Sequence, residues 1–211
     1  MKKLNLLLAI ILILSSASFA QDSTLIQKIN IGTFSVGTRN TLSAFNNDDA
    51  TGLGVGGQFR IQLGKSINSE WFFDYITSNQ NLTKRNDYHI GWSLMFYSKN
   101  NNSFEKLFQP YLLVGHCFDY SKVFEKSNIN NNESRLSMAT QAGIGTHINI
   151  SKVFDCSISS QYMLHFGKEI ETSMLNNKPI IIKNDFSSTE GHLLFTISFN
   201  YKLGKLWNKK A

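Results

Sequence analysis

Five histidines and two cysteines carry most of the chemical potential of this 211-residue chain: His89, His116, His147, His165, His192, Cys117 and Cys156. Imidazole and thiolate groups hold transition metals, and either can serve in a nucleophile–base pair. Their spacing selects neither use, because no HExxH or CxxC run occurs to place two ligands side by side on one local element. Any centre would have to be assembled from distant segments. The question is therefore which elements position these side chains.

Those elements are strands. Between Thr189 and Leu203, Leu193, Phe195, Ile197, Phe199, Tyr201 and Leu203 share one parity, and His192, Leu194, Thr196, Ser198, Asn200 and Lys202 share the other. A period of two with Phe, Ile, Tyr and Thr in place predicts a β-strand with unlike faces. Its length is roughly what a tilted strand needs to cross a hydrocarbon layer, about 10 residues or a little more. The alternation recurs at 51–64, where Leu53, Val55, Phe59, Ile61 and Leu63 oppose a face bearing Gly52, Gly54, Gly56, Gln58 and Arg60. It recurs at 69–77 (Trp71, Phe73, Tyr75), 87–98 (Tyr88, Ile90, Trp92, Leu94, Phe96), 135–150 and 153–166. The phase is mixed at 25–38, where a bulge near Gly32 would switch it, and at 108–120, where Leu112, Leu113 and Val114 are consecutive.

Eight strands result. The connections predicted at 39–50, 78–86, 121–134 and 167–188 are long, with a PIII patch at Pro179 to Ile182 extending the last as a hairpin; those at 64–68, 99–107 and 151–152 are shorter. Long loops alternating with short turns mark outer-membrane barrels, with the turns and both termini in the periplasm. The expected fold is all-β: an eight-stranded antiparallel up-and-down transmembrane β-barrel. The amino terminus agrees with export. Lys2 and Lys3 precede an apolar run, Leu4 to Leu14, and small residues at Ser18 and Ala20, which predicts a signal peptide over 1–20, cleaved before Gln21. The barrel domain is then 21–211. The net charge of +6 is spread without any run of four Lys or Arg, so nucleic acid is not an expected partner. Outer-membrane lipid and anionic lipopolysaccharide are.

Placed on these strands, the charged inward candidates are Arg60, Glu70, Asp74, Arg135, Asp155, Glu190 and Lys202. An eight-stranded barrel holds side chains rather than an open channel, and such charges must pair. Arg60 is expected to meet Asp74, and Asp155 to meet Lys202. Strand directions put His147 near the periplasmic end. His89 and His192 are expected near the outer end on opposite sides of the lumen, which leaves His165, His192 and Glu190 as the one trio able to meet. Cys117 and Cys156 are separated by two strand spacings, roughly 9.5 Å, beyond disulfide reach, which predicts two unpaired buried thiols. No catalytic, cofactor-binding or metal-binding residue is assigned, and no cofactor is expected.

The Gly-rich TGLGVGGQFRIQLG strand, the QPYLLVG opening of strand five and the alternating final strand resemble the small eight-stranded outer-membrane proteins: the OmpA membrane domain, OmpX and the PorT-like barrels of Bacteroidetes. The likeness spans nearly the whole chain after the leader. It departs in having eight residues after Leu203, where such chains usually end close to an aromatic residue read by the barrel-assembly machinery. The resemblance implies that machinery as a partner, and PorT-like proteins bring in secretion-system assembly. The expected role is structural or interactive: envelope integrity, or adhesion to an extracellular or envelope partner through the external loops. A porin-like channel for small solutes is the alternative. A lipid A-modifying enzyme ranks below it, because no histidine is followed by Ser at the second position, as the deacylase motif requires. A soluble lipocalin-like barrel also ranks below, since the Gly-, Gln- and Arg-bearing face would make a poor apolar cavity.

Overall fold

The computed structural model describes residues 31–45, 51–98, 107–176 and 178–207. The expected leader and the strand-one residues before 31 lie outside them. The eight strands are β1 (Thr33–Phe45), β2 (Thr51–Gln62), β3 (Ile67–Gln80), β4 (Thr83–Phe96), β5 (Phe108–Glu125), β6 (Asn132–Asn149), β7 (Phe154–Leu175) and β8 (Lys178–Lys205). Each pairs antiparallel with the next, and β8 pairs with β1, so the sheet closes. Stepping between register partners from Thr38 through Gly57, Phe73, Ile90, Phe118, Met138 and Phe166 returns at Thr189, whereas β1 itself faces Phe199. The difference between 189 and 199 is a stagger of ten residues, and for eight strands it sets a tilt of about 40°.

The strands run further than the sequence pattern indicated, and the loops shrink accordingly. β1 extends through Asn40 and Thr41 to Phe45, into the predicted 39–50 loop. The predicted 78–86 loop is the hairpin end of β3 and β4, closed at Asn81 and Leu82. Asn81 has φ of 39°, the left-handed conformation that asparagine tolerates and a tight hairpin turn needs. The 167–188 segment is a two-stranded ribbon turning beside Asn176, whose φ is 50°. Polar composition reads as loop, but in β1 and at the β3–β4 end the polar residues Arg39, Thr41, Ser43, Ser78 and Arg85 are buried in the lumen, and in the ribbon strand pairing continues where both faces are free to be polar.

Alternation decides what faces lipid and what faces the lumen. Trp71, Ile90, Leu112, Ile144 and Phe195 are exposed on the outside. Tyr75, Tyr88 and Tyr120 stand in register on adjacent strands, with ring centroids 5.0 and 6.1 Å apart. Such a row of amphipathic rings suits a membrane–water boundary. Two apolar clusters fill the lumen between its polar tiers: Phe72, Ile76, Cys117, Ala139, Met163 and Leu194 in one, Met95, Tyr97, Tyr111 and Leu113 in the other. The second explains the mixed phase of strand five, because Leu113 points inward while Leu112 and Val114 point out. Cys117 is buried, its thiol 3.6 Å from the Met163 sulfur; Cys156 is also free but only half-buried, since it lies on the lipid-facing parity.

Glycine makes this filling fit. A Cβ on Gly145 would lie 2.5 Å from the Tyr111 ring, its register partner, and the ring in turn covers a backbone that has no side chain of its own. Gly145→Val is expected to lower stability by about 1–3 kcal/mol through overpacking. Gly64, at the β2–β3 turn, has nothing within 4 Å of a built Cβ, so Gly64→Ala serves as the neutral control. Urea titration of the heat-modifiable gel band measures both.

Candidate functional site

The lumen is where the chemistry-bearing residues converge, in three tiers. At the end that carries β1's start and β8's end, the one expected to face the periplasm, Arg60 donates from Nη2 to both Asp155 oxygens at 2.8 and 2.6 Å. Asn200 donates to the same carboxylate at 3.0 Å, and the Lys202 ammonium lies 3.4 Å from it. His147 stands between Tyr97, whose hydroxyl is 2.8 Å from Nε2, and Ser157, 2.5 Å from Nδ1. A polar cavity of about 40 Å³ opens beside Arg60, His147, Asp155 and Lys202.

The middle tier belongs to Arg39. Its Nε donates to Asp74 at 3.0 Å and its Nη1 to Glu70 at 2.8 Å and Gln58 at 3.2 Å, while the guanidinium lies 4.5 Å from the centre of the Phe72 ring. A planar fork of donors with a polarisable face suits this mixed environment, which a lysine could not satisfy in the same way.

At the outer end Arg85 bridges Asp87, at 2.9 Å, and Glu190, at 2.5 Å; Arg135 donates to the other Glu190 oxygen. Beneath them lie three imidazoles. His165 and His192 have ring centroids 4.5 Å apart, and His192 Nε2 is 3.2 Å from Glu190. His89 is 5.7 Å from His165 and 6.5 Å from His192, centroid to centroid. Asp119 sits among them, its Oδ2 accepting from Ser121 at 2.9 Å and Ser137 at 3.1 Å.

Two pairings expected from the sequence have different outcomes. Asp155 meets Lys202, but Arg60 does not pair with Asp74. Arg60 is in register with Glu70 and Asp74 with Gly56, four residues up the strand or about 13 Å; Arg60 instead reaches across to β7, and Arg39 takes Asp74. His165, His192 and Glu190 meet as expected. His89 does not stay apart, because the lumen is narrow enough for side chains of non-adjacent strands to touch. Arg39, Arg85, Asp87 and Asp119 were absent from the inward set. The first two fell in predicted loops, and Asp119 lay on the strand of mixed phase. The shared parity of Arg85, Asp87 and His89 was the signal available to find that group. His116 is on the lipid-facing parity, 5.2 Å from Phe118.

No protein-family model and no curated protein matches the sequence. The structure is similar to Neisserial surface protein A, with a TM-score of 0.58 at 10% identity over 81% of this chain and 96% of that one. It is similar to the outer membrane protein OprG from Pseudomonas aeruginosa, with a TM-score of 0.52 at 18% identity over 85% and 100%. The outer membrane protein AlkL gives 0.50 at 11% identity over 90% and 99%. Closure, strand number and this likeness agree: the chain has the fold of the small eight-stranded outer-membrane β-barrels.

Proposed function

We propose that the protein is an outer-membrane anchor that acts at the cell surface through its β7–β8 ribbon, with a sealed lumen and no catalytic role. The observation that carries this reading is the contrast between the two ends of the molecule. The described lumen is blocked in depth by Phe72, Ile76, Met163 and Leu194 between tiers of ion pairs. The ribbon stands clear of the barrel: β6 pairs with β7 only as far as Phe166, yet β7 continues to Leu175 and β8 begins at Lys178. It exposes Met174 and Leu175 near its tip, Ile182 part-way down and Phe186 beside the register shift at its base, the last 85% accessible. Large apolar side chains left exposed along one protruding element are a common mark of an interaction site. Contacts with the β5–β6 tip steady it: Asn131 donates to the Pro179 carbonyl at 3.0 Å and Lys183 to the Ser134 carbonyl at 2.8 Å. Lipopolysaccharide and an extracellular or envelope protein are the partners this surface suits.

The ribbon is tested by replacing residues 170–184 with a short turn. The shortened protein is expected to keep its heat-modifiable band while cells displaying it lose attachment to protein-coated surfaces; unchanged attachment would sink the surface role. Conduction of small solutes is the competing reading. Planar-bilayer recordings of the refolded barrel are expected to show no stepwise currents, and regular unitary steps would favour the channel instead. Removing one member of a buried ion pair separates the two further. Arg60→Ala should cost about 3 kcal/mol by leaving the buried Asp155 carboxylate to Lys202 and Asn200 alone, seen as a lower urea midpoint, without opening a current.

A further inference from the structure

We propose that His89, Asp119 and His165 form a buried binding site for a divalent first-row transition metal of the Zn²⁺ type. The three residues come from β4, β5 and β7, and one ligand atom from each lies within 4.8 Å of the others. All three are essentially inaccessible, at 0%, 0% and 1% exposure.

Two features set this group apart from the ion pairs around it. The first is unspent bonding capacity. Both ring nitrogens of His89, both of His165 and Oδ1 of Asp119 lack a hydrogen-bond partner, although buried polar atoms nearly always have one. In the same tier Arg135 Nε also lacks a partner, whereas the facing atoms of Arg85 and Glu190 are engaged; among the described residues no other group there leaves five atoms open. The second is spacing. His89 Nε2 is 3.3 Å from Asp119 Oδ1, and His165 Nδ1 is 3.2 Å from Asp119 Oδ2, yet neither contact has hydrogen-bond geometry. Two ligands each about 2.0–2.1 Å from a tetrahedral ion are separated by about 3.3 Å, so each gap is that of two ligands of one ion, with His89 facing Oδ1 and His165 facing Oδ2 of the same carboxylate.

The charge at the site admits a cation too. The carboxylates of Asp87 and Glu190 are matched by the guanidiniums of Arg85 and Arg135. Asp119 is left with only the longer 4.0 Å approach of Arg135, so its negative charge is available to a cation. Ser121 and Ser137 fix Asp119 through Oδ2, the supporting role that outer-shell donors play around metal carboxylates. Two imidazoles and one carboxylate suit Zn²⁺ and its neighbours rather than Ca²⁺ or Mg²⁺. Three protein ligands leave a fourth position for water.

The barrel closes around this site, so the probe must be present while it folds. Protein refolded with ZnCl₂, passed through a desalting column and analysed by mass spectrometry is expected to retain about one Zn²⁺ per barrel. His89→Gln and His165→Gln should retain little, and the lipid-facing His116→Gln should match the parent. Parent protein refolded with CoCl₂ should show the intense visible bands of low-coordinate Co²⁺, a readout that does not depend on any variant folding. No retained zinc together with no cobalt bands overturns the proposal. So does equal retention by the parent and by heat-modifiable His89→Gln and His165→Gln, which would put the metal elsewhere. Conductance and attachment are separate measurements, so failure here leaves the surface role standing.

Discussion

Closure of eight strands at a stagger of ten residues fixes the width of the lumen, and the rest of the molecule depends on that width. The space is too narrow to hydrate an arginine fully and wide enough for the arginine to reach a strand other than its neighbour. Every inward charge must therefore find its partner across the lumen or around the wall. Arg39, Arg60 and Arg85 do so with carboxylates far along the chain: Glu70, Asp155 and Glu190. Burying such charges is costly and their mutual attraction offsets much of that cost only when the geometry is good. Bidentate and bridging guanidiniums supply that geometry.

These links also shape how the chain reaches its final state. Arg85 and Glu190 are 105 residues apart in sequence and Arg60 and Asp155 are 95 apart, and β1 must find β8 before the sheet has no free edge. A topology dominated by distant pairings forms slowly. Until closure, the polar tiers have no partners and the outward face has no lipid, so insertion and ion pairing must proceed together. The apolar clusters between the tiers exclude water from neighbouring ion pairs and strengthen them electrostatically.

Much of this was legible in the sequence because the membrane imposes a strict rule. Wherever a strand has lipid on one side and lumen on the other, parity reports orientation, and the outward positions of Trp71, Ile90, Ile144 and Phe195 follow directly. The rule weakens in two places. Beyond the membrane both faces meet water, so the β7–β8 ribbon reads as a loop; β1 past Thr38 does so because its inward residues Arg39, Thr41 and Ser43 are polar. Where the lumen itself is apolar, as at Phe72, Leu113 and Met163, inward and outward residues look alike. Side-chain partners were less legible than strands. Alternation gives the face a residue occupies but not its height relative to strands across the barrel, and that height decides whether Arg60 meets Asp74 or Asp155, and whether His89 meets His165.

The ribbon differs from the barrel in the kind of stability it has. Past Phe166 and above His192, its two strands pair with each other and with no other strand among the described residues. A two-stranded ribbon has little stability of its own, and few contacts tie its opening to that of the barrel. Substitutions at its tip therefore pass lightly over the folding of the anchor. The ribbon can accept changes in sequence that the lumen, where each charge is bound to several others, cannot.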